Sequence, residues 1–296
     1  MSNTISLLFD YFTLPKAHVG DARISGSTLF HDEYPKKNQY LLIKDLFTKF
    51  KSNPIVRVPF PPDIRKWSQF FQCIRYIQAA GCTPLVLFDC FYDDASMKKR
   101  ITKLKSTFGQ LIYFELFNEL PWLHYTGQQM TSLDDLIAKT NQYTALIRQL
   151  FPKAKILSMA PANILMEMDY ADEWGGDNIT QLKRLAFETT TDLVNIHMYA
   201  DSWRKKARFK GLMRTLEEIK DRTGKDCWVT EIGADAWRDH VEIFEQWCSR
   251  AMAVRSIKEI IWYRQAILLK NIPDGGFALH EINTNNKSPL CHRVKE

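Results

Sequence analysis

Short apolar runs alternate along nearly the whole chain with longer stretches in which apolar residues recur every three or four positions. The runs are rich in β-branched, aliphatic and aromatic residues with few polar interruptions, the pattern of strands buried on both faces. They predict strands over Ile5 to Asp10, Ile55 to Phe60, Thr83 to Phe91, Leu111 to Glu119, Lys155 to Pro161, Leu193 to Ala200, Cys227 to Ala234 and Ile260 to Ala266. Between them, helical spacing is carried by Tyr40 to Phe47, Phe70 to Ile77, Leu133 to Leu150, Ile179 to Phe187, Leu212 to Ile219 and Val241 to Ile257. Thr131-Ser132 ahead of Leu133-Asp134-Asp135 reads as a helix start. Gly81 and Thr223-Gly224 read as helix ends, Gly81 closing the helix that begins after Asp63.

Strict strand-then-helix alternation implies a parallel sheet covered by helices. Eight such units in 296 residues predict an α/β fold of the (β/α)8 TIM-barrel type, a single domain over residues 1–296. An open doubly wound sheet is the rival architecture, but no glycine-rich phosphate loop follows the first strand. The stretch from Tyr11 to Asn38 is long for one strand-to-helix loop and is expected to fold over the barrel mouth. Links from helix to next strand are short, as at Phe151-Pro152-Lys153-Ala154. Links leaving strand C-termini are long and rich in aromatic and polar residues, which puts the expected site at that face of the barrel.

Composition alters this picture little. An apolar share of 45% and a charged share of 25% are ordinary for a soluble globular protein. The net charge of +6 is spread out. Its densest stretch, Arg204 to Arg208, is short and reads as a solvated loop or helix entrance, so no nucleic-acid partner is expected. The six cysteines (Cys73, Cys82, Cys90, Cys227, Cys248, Cys291) form no CxxC pair and no ligand-like spacing with histidine. Several sit in apolar segments, as reduced core thiols do, with a structural disulfide left open. Met1 to Pro15 does not read as a secretory signal, and no apolar run approaches membrane-spanning length. The expectation is a soluble cytoplasmic protein without membrane association, cofactor or metal.

The chemistry gathers at the strand ends: Arg57 on the second, Asp89 on the third, Asn118 and Glu119 on the fourth, His197 and Tyr199 on the sixth, Glu231 on the seventh and Trp262 on the eighth. A carboxylate closing a buried apolar strand is costly unless it is paired or used. Glu119 and Glu231 both do so, and a facing acid and nucleophile is what glycoside hydrolysis needs. Together, Asn118-Glu119 followed by Pro121, His197-x-Tyr199, Thr230-Glu231-x-Gly233 and Trp262 resemble the clan A retaining glycoside hydrolases, family 5-like enzymes on a (β/α)8 barrel. The resemblance runs from Val56-Arg57-Val58-Pro59 to Ile261-Trp262.

That resemblance implies Glu119 as general acid/base and Glu231 as nucleophile, cleaving a β-O-glycosidic bond of an oligo- or polysaccharide by double displacement. It implies Asn118 on the sugar 2-hydroxyl, Tyr199 donating to Glu231 and Trp262 as the floor beneath the sugar. Retention calls for carboxyls about 5–5.5 Å apart, one ionised and one protonated. Arg57 is expected to keep Glu231 charged, to neutralise Glu115, or both. His197 reads equally as a core histidine or a substrate contact, and Trp262 alternatively as barrel packing. Asp89 suits a sugar hydroxyl or an internal arginine. Trp122, Trp174, Trp203 and Trp237 fall in strand-to-helix loops as candidate subsites or ordinary packing. Two departures stand out: the proline is displaced to position 121, which alters the loop but leaves the glutamate in place, and Asp89 stands where family 5 members commonly carry a histidine, which favours another branch of the clan. The alternatives are a carbohydrate-binding barrel without catalysis, or a transglycosidase using the same residues.

Overall fold

The computed structural model describes residues 23–27, 55–79, 81–88, 92–119, 132–161, 178–199, 206–233, 249–262, 266–267, 280–281 and 286–287. Of these, residues 23–27, 199, 206–209, 233, 249, 252, 262 and the last three pairs are described by backbone alone. Parallel strands run β1 (Arg23–Ser27), β2 (Ile55–Pro59), β3 (Thr83–Phe88), β4 (Tyr113–Leu116), β5 (Lys155–Leu157), β6 (Leu193–Tyr199), β7 (Asp226–Gly233) and β8 (Ile257–Trp262). They form one eight-stranded sheet in the order β1-β8-β7-β6-β5-β4-β3-β2. Because β1 also packs beside β2, the two ends of the order meet and the sheet curls into a barrel. The α/β barrel expected from the alternation is therefore the architecture found. A small sheet of β9 (Ala266–Ile267), β10 (His280–Glu281) and β11 (Asn286–Lys287) follows.

The helices are α1 (Trp67–Ala79), α2 (Asp94–Phe108), α3 (Leu133–Leu150), α4 (Asn178–Glu188), α5 (Lys206–Thr223) and the short α6 (Ser249–Met252), with a 3-10 turn over Ile64–Lys66. Their boundaries follow local chemistry. Ser132 caps α3 by accepting from the Asp135 N–H at 3.1 Å, and Asp134 and Asp135 sit in the favourable first turn. Asp93 caps α2 through the Ser96 N–H at 2.8 Å. Gly81, Gly109 and Gly224 follow helices at positive φ, where a side chain would be strained. α2 escaped the sequence reading because its apolar stripe is only Met97, Ile101 and Leu104, set among lysines and arginines.

Two boundaries differ from the expectation. The stretch from Tyr11 to Asn38 contains β1, which pairs with β8 through Arg23↔Glu259, Ile24↔Ile260 and Ser27↔Trp262, so it is not all mouth loop. The strand expected over Ile5 to Asp10 and the helix over Tyr40 to Phe47 lie outside the described residues. β8 begins at Ile257, where helix had been expected. The backbone turns at Arg255 and Ser256, held there by Arg255 Nε to Glu217 at 2.9 Å and the Ser256 N–H to Glu217 at 3.0 Å.

Alternation divides the strands between two cores. Val56, Val58, Val86, Phe88, Phe114, Leu116 and Ile156 point outward against α1, α2 and α3. Ile55, Leu85, Leu157, Trp228 and Ile261 point inward and form an apolar barrel floor, with Tyr113 and Trp228 rings 4.8 Å apart. Above that floor the interior becomes polar. Arg57, Glu115 and Asn195, from alternate strands β2, β4 and β6, form the next layer, as barrel interiors are filled. Cys73, Cys82 and Cys227 are buried and in no disulfide, and burial pushes Cys82 up to about 12, as for small core residues.

Candidate active site

The polar layer is built around Arg57. Its Nε and Nη2 donate to the two carboxylate oxygens of Glu115, both at 2.6 Å, in a bidentate pair. Nη1 donates to Glu231 and Nη2 also reaches Asn118 Oδ1 at 2.6 Å. Arg57 is 1% exposed and Glu115 0%, so neither charge is solvated, and each depends on the other. Burial alone would lower the Arg57 pKa, yet the facing carboxylates of Glu115 and Glu231 raise it overall, so the guanidinium stays charged at every accessible pH. The two contacts expected of Arg57, on Glu115 and on Glu231, are both made by one side chain.

Local backbone irregularity aims the glutamates. Past the end of β4, Phe117 (φ 67°) and Glu119 (φ 46°) occupy the left-handed region, uncommon for side chains of this size. The turn is held by the Phe117 N–H on Phe88 O at 2.7 Å and the Glu119 N–H on Ala160 O at 3.3 Å. On β7 the register slips by one against both neighbours: Val229 pairs with Ile196 but Glu231 with His197, and Val229 pairs with Ile260 but Ile232 with Trp262. In a regular strand Thr230 and Glu231 would face opposite sides. The bulge turns both inward, Thr230 onto Asn195 and His197, Glu231 onto Arg57.

The two glutamates converge on His197. A carboxylate oxygen of Glu119, a ring nitrogen of His197 and a carboxylate oxygen of Glu231 all lie within 4.8 Å of one another. His197 Nδ1 is 2.6 Å from Glu119 Oε1 and 3.6 Å from Glu231 Oε2. Burial drives the His197 pKa down to about 4, against the opposing pull of Glu231 and, more weakly, Glu115, so the ring is neutral at neutral pH. Burial likewise pushes the Glu231 carboxyl above the usual glutamate range, while His197 and Arg57 draw it back and Glu119 and Glu115 push it further. The Arg57 guanidinium, shared between Glu231 and Glu115, opposes that rise without cancelling it. The same three ligand atoms are spaced to hold a cation. The guanidinium on Glu231 already supplies positive charge there, and the set is better matched to acid–base work.

Of the expected site residues, Arg57, Asn118, Glu119, His197 and Glu231 are brought together in this cluster. Tyr199 and Trp262 stand at the C-terminal ends of β6 and β8, described by backbone alone. Asp89, Trp122, Trp174, Trp203 and Trp237 lie outside the described residues. The sequence reading passed over Asn195 and the hydroxyl of Thr230. The signal was available, since Asn195 stands two residues before His197 and so shares its face of β6.

A parallel barrel with two facing carboxylates and a buried arginine at the C-terminal strand ends is an arrangement that glycoside cleavage can use. The sequence profile of the family described as glycosyl hydrolase catalytic core matches residues 117–264, half of the chain, and spans both Glu119 and Glu231. The chain belongs to this family and is a glycoside hydrolase. No curated protein matches it in sequence. Among solved structures, it is similar to an endo-β-1,4-mannanase from Thermotoga petrophila, with a TM-score of 0.62 and 14% identity over 93% of this chain and 76% of that one. An endo-β-1,4-glucanase from Xanthomonas axonopodis pv. citri superposes with a TM-score of 0.58 and 14% identity over 92% of this chain and 98% of that one. An endo-1,4-β-mannanase from Rhizomucor miehei does so with a TM-score of 0.61 and 10% identity, over 92% and 94%. At such identities these likenesses speak for the fold.

Proposed function

We propose that the chain hydrolyses β-O-glycosidic bonds of an oligo- or polysaccharide with retention, Glu231 attacking the anomeric carbon and Glu119 serving first as acid, then as base. The observation that carries this reading is the approach of a Glu119 and a Glu231 carboxylate oxygen to within 4.8 Å. Retaining pairs stand about 5–5.5 Å apart, whereas inverting pairs need roughly 6.5–9.5 Å to admit a water. In the first step the Glu231 oxygen bonds to the anomeric carbon as the bond to the leaving oxygen breaks, and the Glu119 proton passes to that oxygen. In the second, Glu119 takes a proton from water, which displaces the sugar from Glu231.

Arg57 supports the assignment, because its Nη1 donates to Glu231 and so favours the ionised form needed for attack. Asn118 is held by its Oδ1 on Arg57 Nη2, which leaves its amide N–H group to serve a sugar hydroxyl. We assign it the 2-hydroxyl, where a contact strengthens in the transition state. Trp262 and Tyr199, at the ends of strands that border this cluster, are proposed as sugar platform and Glu231 donor. Asp89, Trp122, Trp203 and Trp237 are proposed as more distant sugar contacts. The endoglucanase and mannanase activities of the structural neighbours favour a polymeric substrate. Replacing Glu231 with Gln and assaying aryl β-glycosides tests the reading: turnover is expected to disappear, and undiminished turnover refutes the nucleophile.

A further inference from the structure

We propose that a one-way chain of hydrogen bonds from Glu115 through Asn195, Thr230 and His197 fixes His197 as the Nε2–H tautomer and so keeps the proton on Glu119, with Asn195 and Thr230 as positioning residues. The inference rests on the reading of Glu119 as the acid, and deepens it by saying what holds that residue in its acid form.

The direction of the chain follows from donor and acceptor capacity. Glu115 takes an Arg57 N–H on each of its two oxygens in a bidentate pair, so both oxygens accept. Asn195 is 2.7 Å from Glu115 Oε1 and must present its Nδ2–H there, which turns Oδ1 toward Thr230. Thr230 Oγ1 stands 2.7 Å from that Oδ1 and 3.4 Å from Glu115 Oε1, two atoms that can only accept. Its single proton is therefore committed inward, and toward His197 Nε2, at 3.2 Å, it offers only a lone pair. His197 must donate from Nε2. The ring is fully buried and neutral, so Nδ1 carries no proton and accepts. The partner of Nδ1 at 2.6 Å is Glu119 Oε1, which must then be the donor, a carboxylic acid. Among the described residues, the ionisable and charged groups that face His197 are Glu119 from the β4 end, Glu231 from β7, and Arg57 and Glu115 from β2 and β4. Arg57 with Glu115 is close to neutral as a pair, so none of these supplies a second proton to the ring.

The geometry also explains the β7 bulge. Without the extra residue, Thr230 and Glu231 would not both face the interior, and either the relay or the nucleophile would be lost.

The test reads the tautomer directly, by long-range proton–nitrogen correlation on histidine-labelled protein at neutral pH. The wild type is expected to show His197 as the Nε2–H form, and Thr230→Ser to keep it. Thr230→Val is expected to release the ring to the Nδ1–H form. In that variant kcat/KM falls about tenfold for aryl glycosides with poor leaving groups and less than twofold for activated ones, which need little acid assistance. The basic limb of its pH profile moves to lower pH. An Nδ1–H or doubly protonated His197 in the wild type overturns the proposal, whether or not the variants fold. Equal losses on both leaving-group classes also overturn it. An Nε2–H ring in a protein that cleaves no glycoside would uphold the relay and sink the proposed reaction, so the two are separable.

Discussion

Arg57 ties the site together, and its removal shows what a buried charge costs when stranded. It neutralises Glu115 and bonds Glu231 inside a layer from which water is excluded. Arg57→Met leaves two buried carboxylates without their cation, and denaturant unfolding should show a loss of about 3–5 kcal/mol. His197 makes a pH-dependent contribution of the opposite character. Its pKa falls from 6.5 to about 4 on folding, so between those values the unfolded chain binds the proton that the folded chain refuses. Its stabilising contribution is therefore complete above pH 6.5 and lost as the pH falls toward 4. Thermal melts should show the wild type losing stability over that window more steeply than His197→Gln. Glu231, raised by burial, has the reverse sign. It should place the acid limb of kcat/KM above the ordinary glutamate range, read from the pH profile on an aryl glycoside. At this scale the sequence was informative wherever a charged or aromatic residue closed an apolar run, which singled out Arg57, Glu119 and Glu231. It was silent on Thr230, since a small polar residue inside a strand looks the same whether it relays a proton or only fills space, while Asn195 was marked only by sharing the His197 face of β6.

Elements whose ends are set by local chemistry were legible to the residue, and those set by tertiary contacts were not. α3 begins and ends where Ser132 and the run to Leu150 said it would, because its cap is a nearest-neighbour interaction. Ser132→Ala is accordingly expected to cost about 1 kcal/mol, measured by urea unfolding. Gly81, at φ 79° with nothing within 4 Å of an added methyl group, should lose roughly 1–2 kcal/mol as Ala from backbone strain alone. β1 carries no comparable signal. Arg23-Ile24-Ser25-Gly26-Ser27 is mostly polar and becomes a strand by pairing with β8. The start of β8 is likewise fixed by Glu217 on α5 holding the turn at Arg255 and Ser256, a partner distant in sequence. The β7 bulge is the least legible feature, for it depends on what both neighbouring strands do beside Thr230.

For the molecule as a whole, an apolar barrel floor beneath a polar layer explains why the chemistry sits at one end. The floor of Ile55, Leu85, Leu157, Trp228 and Ile261 seals the interior, and the strand ends above it supply Arg57, Asn118, Glu119, His197 and Glu231. Among the described residues no helix is long and apolar enough to cross a membrane. We propose that residues 1–296 form one domain, for which scanning calorimetry should find one cooperative transition. The most direct test of the account is labelling with 2-deoxy-2-fluoro β-glycosides carrying an activated leaving group, followed by peptide mass spectrometry. The fluorinated sugar is expected as a covalent adduct on Glu231, formed also by Glu119→Ala. An adduct on any other residue, or cleavage of the normal glycosides with inverted product and no trapped sugar, would contradict it.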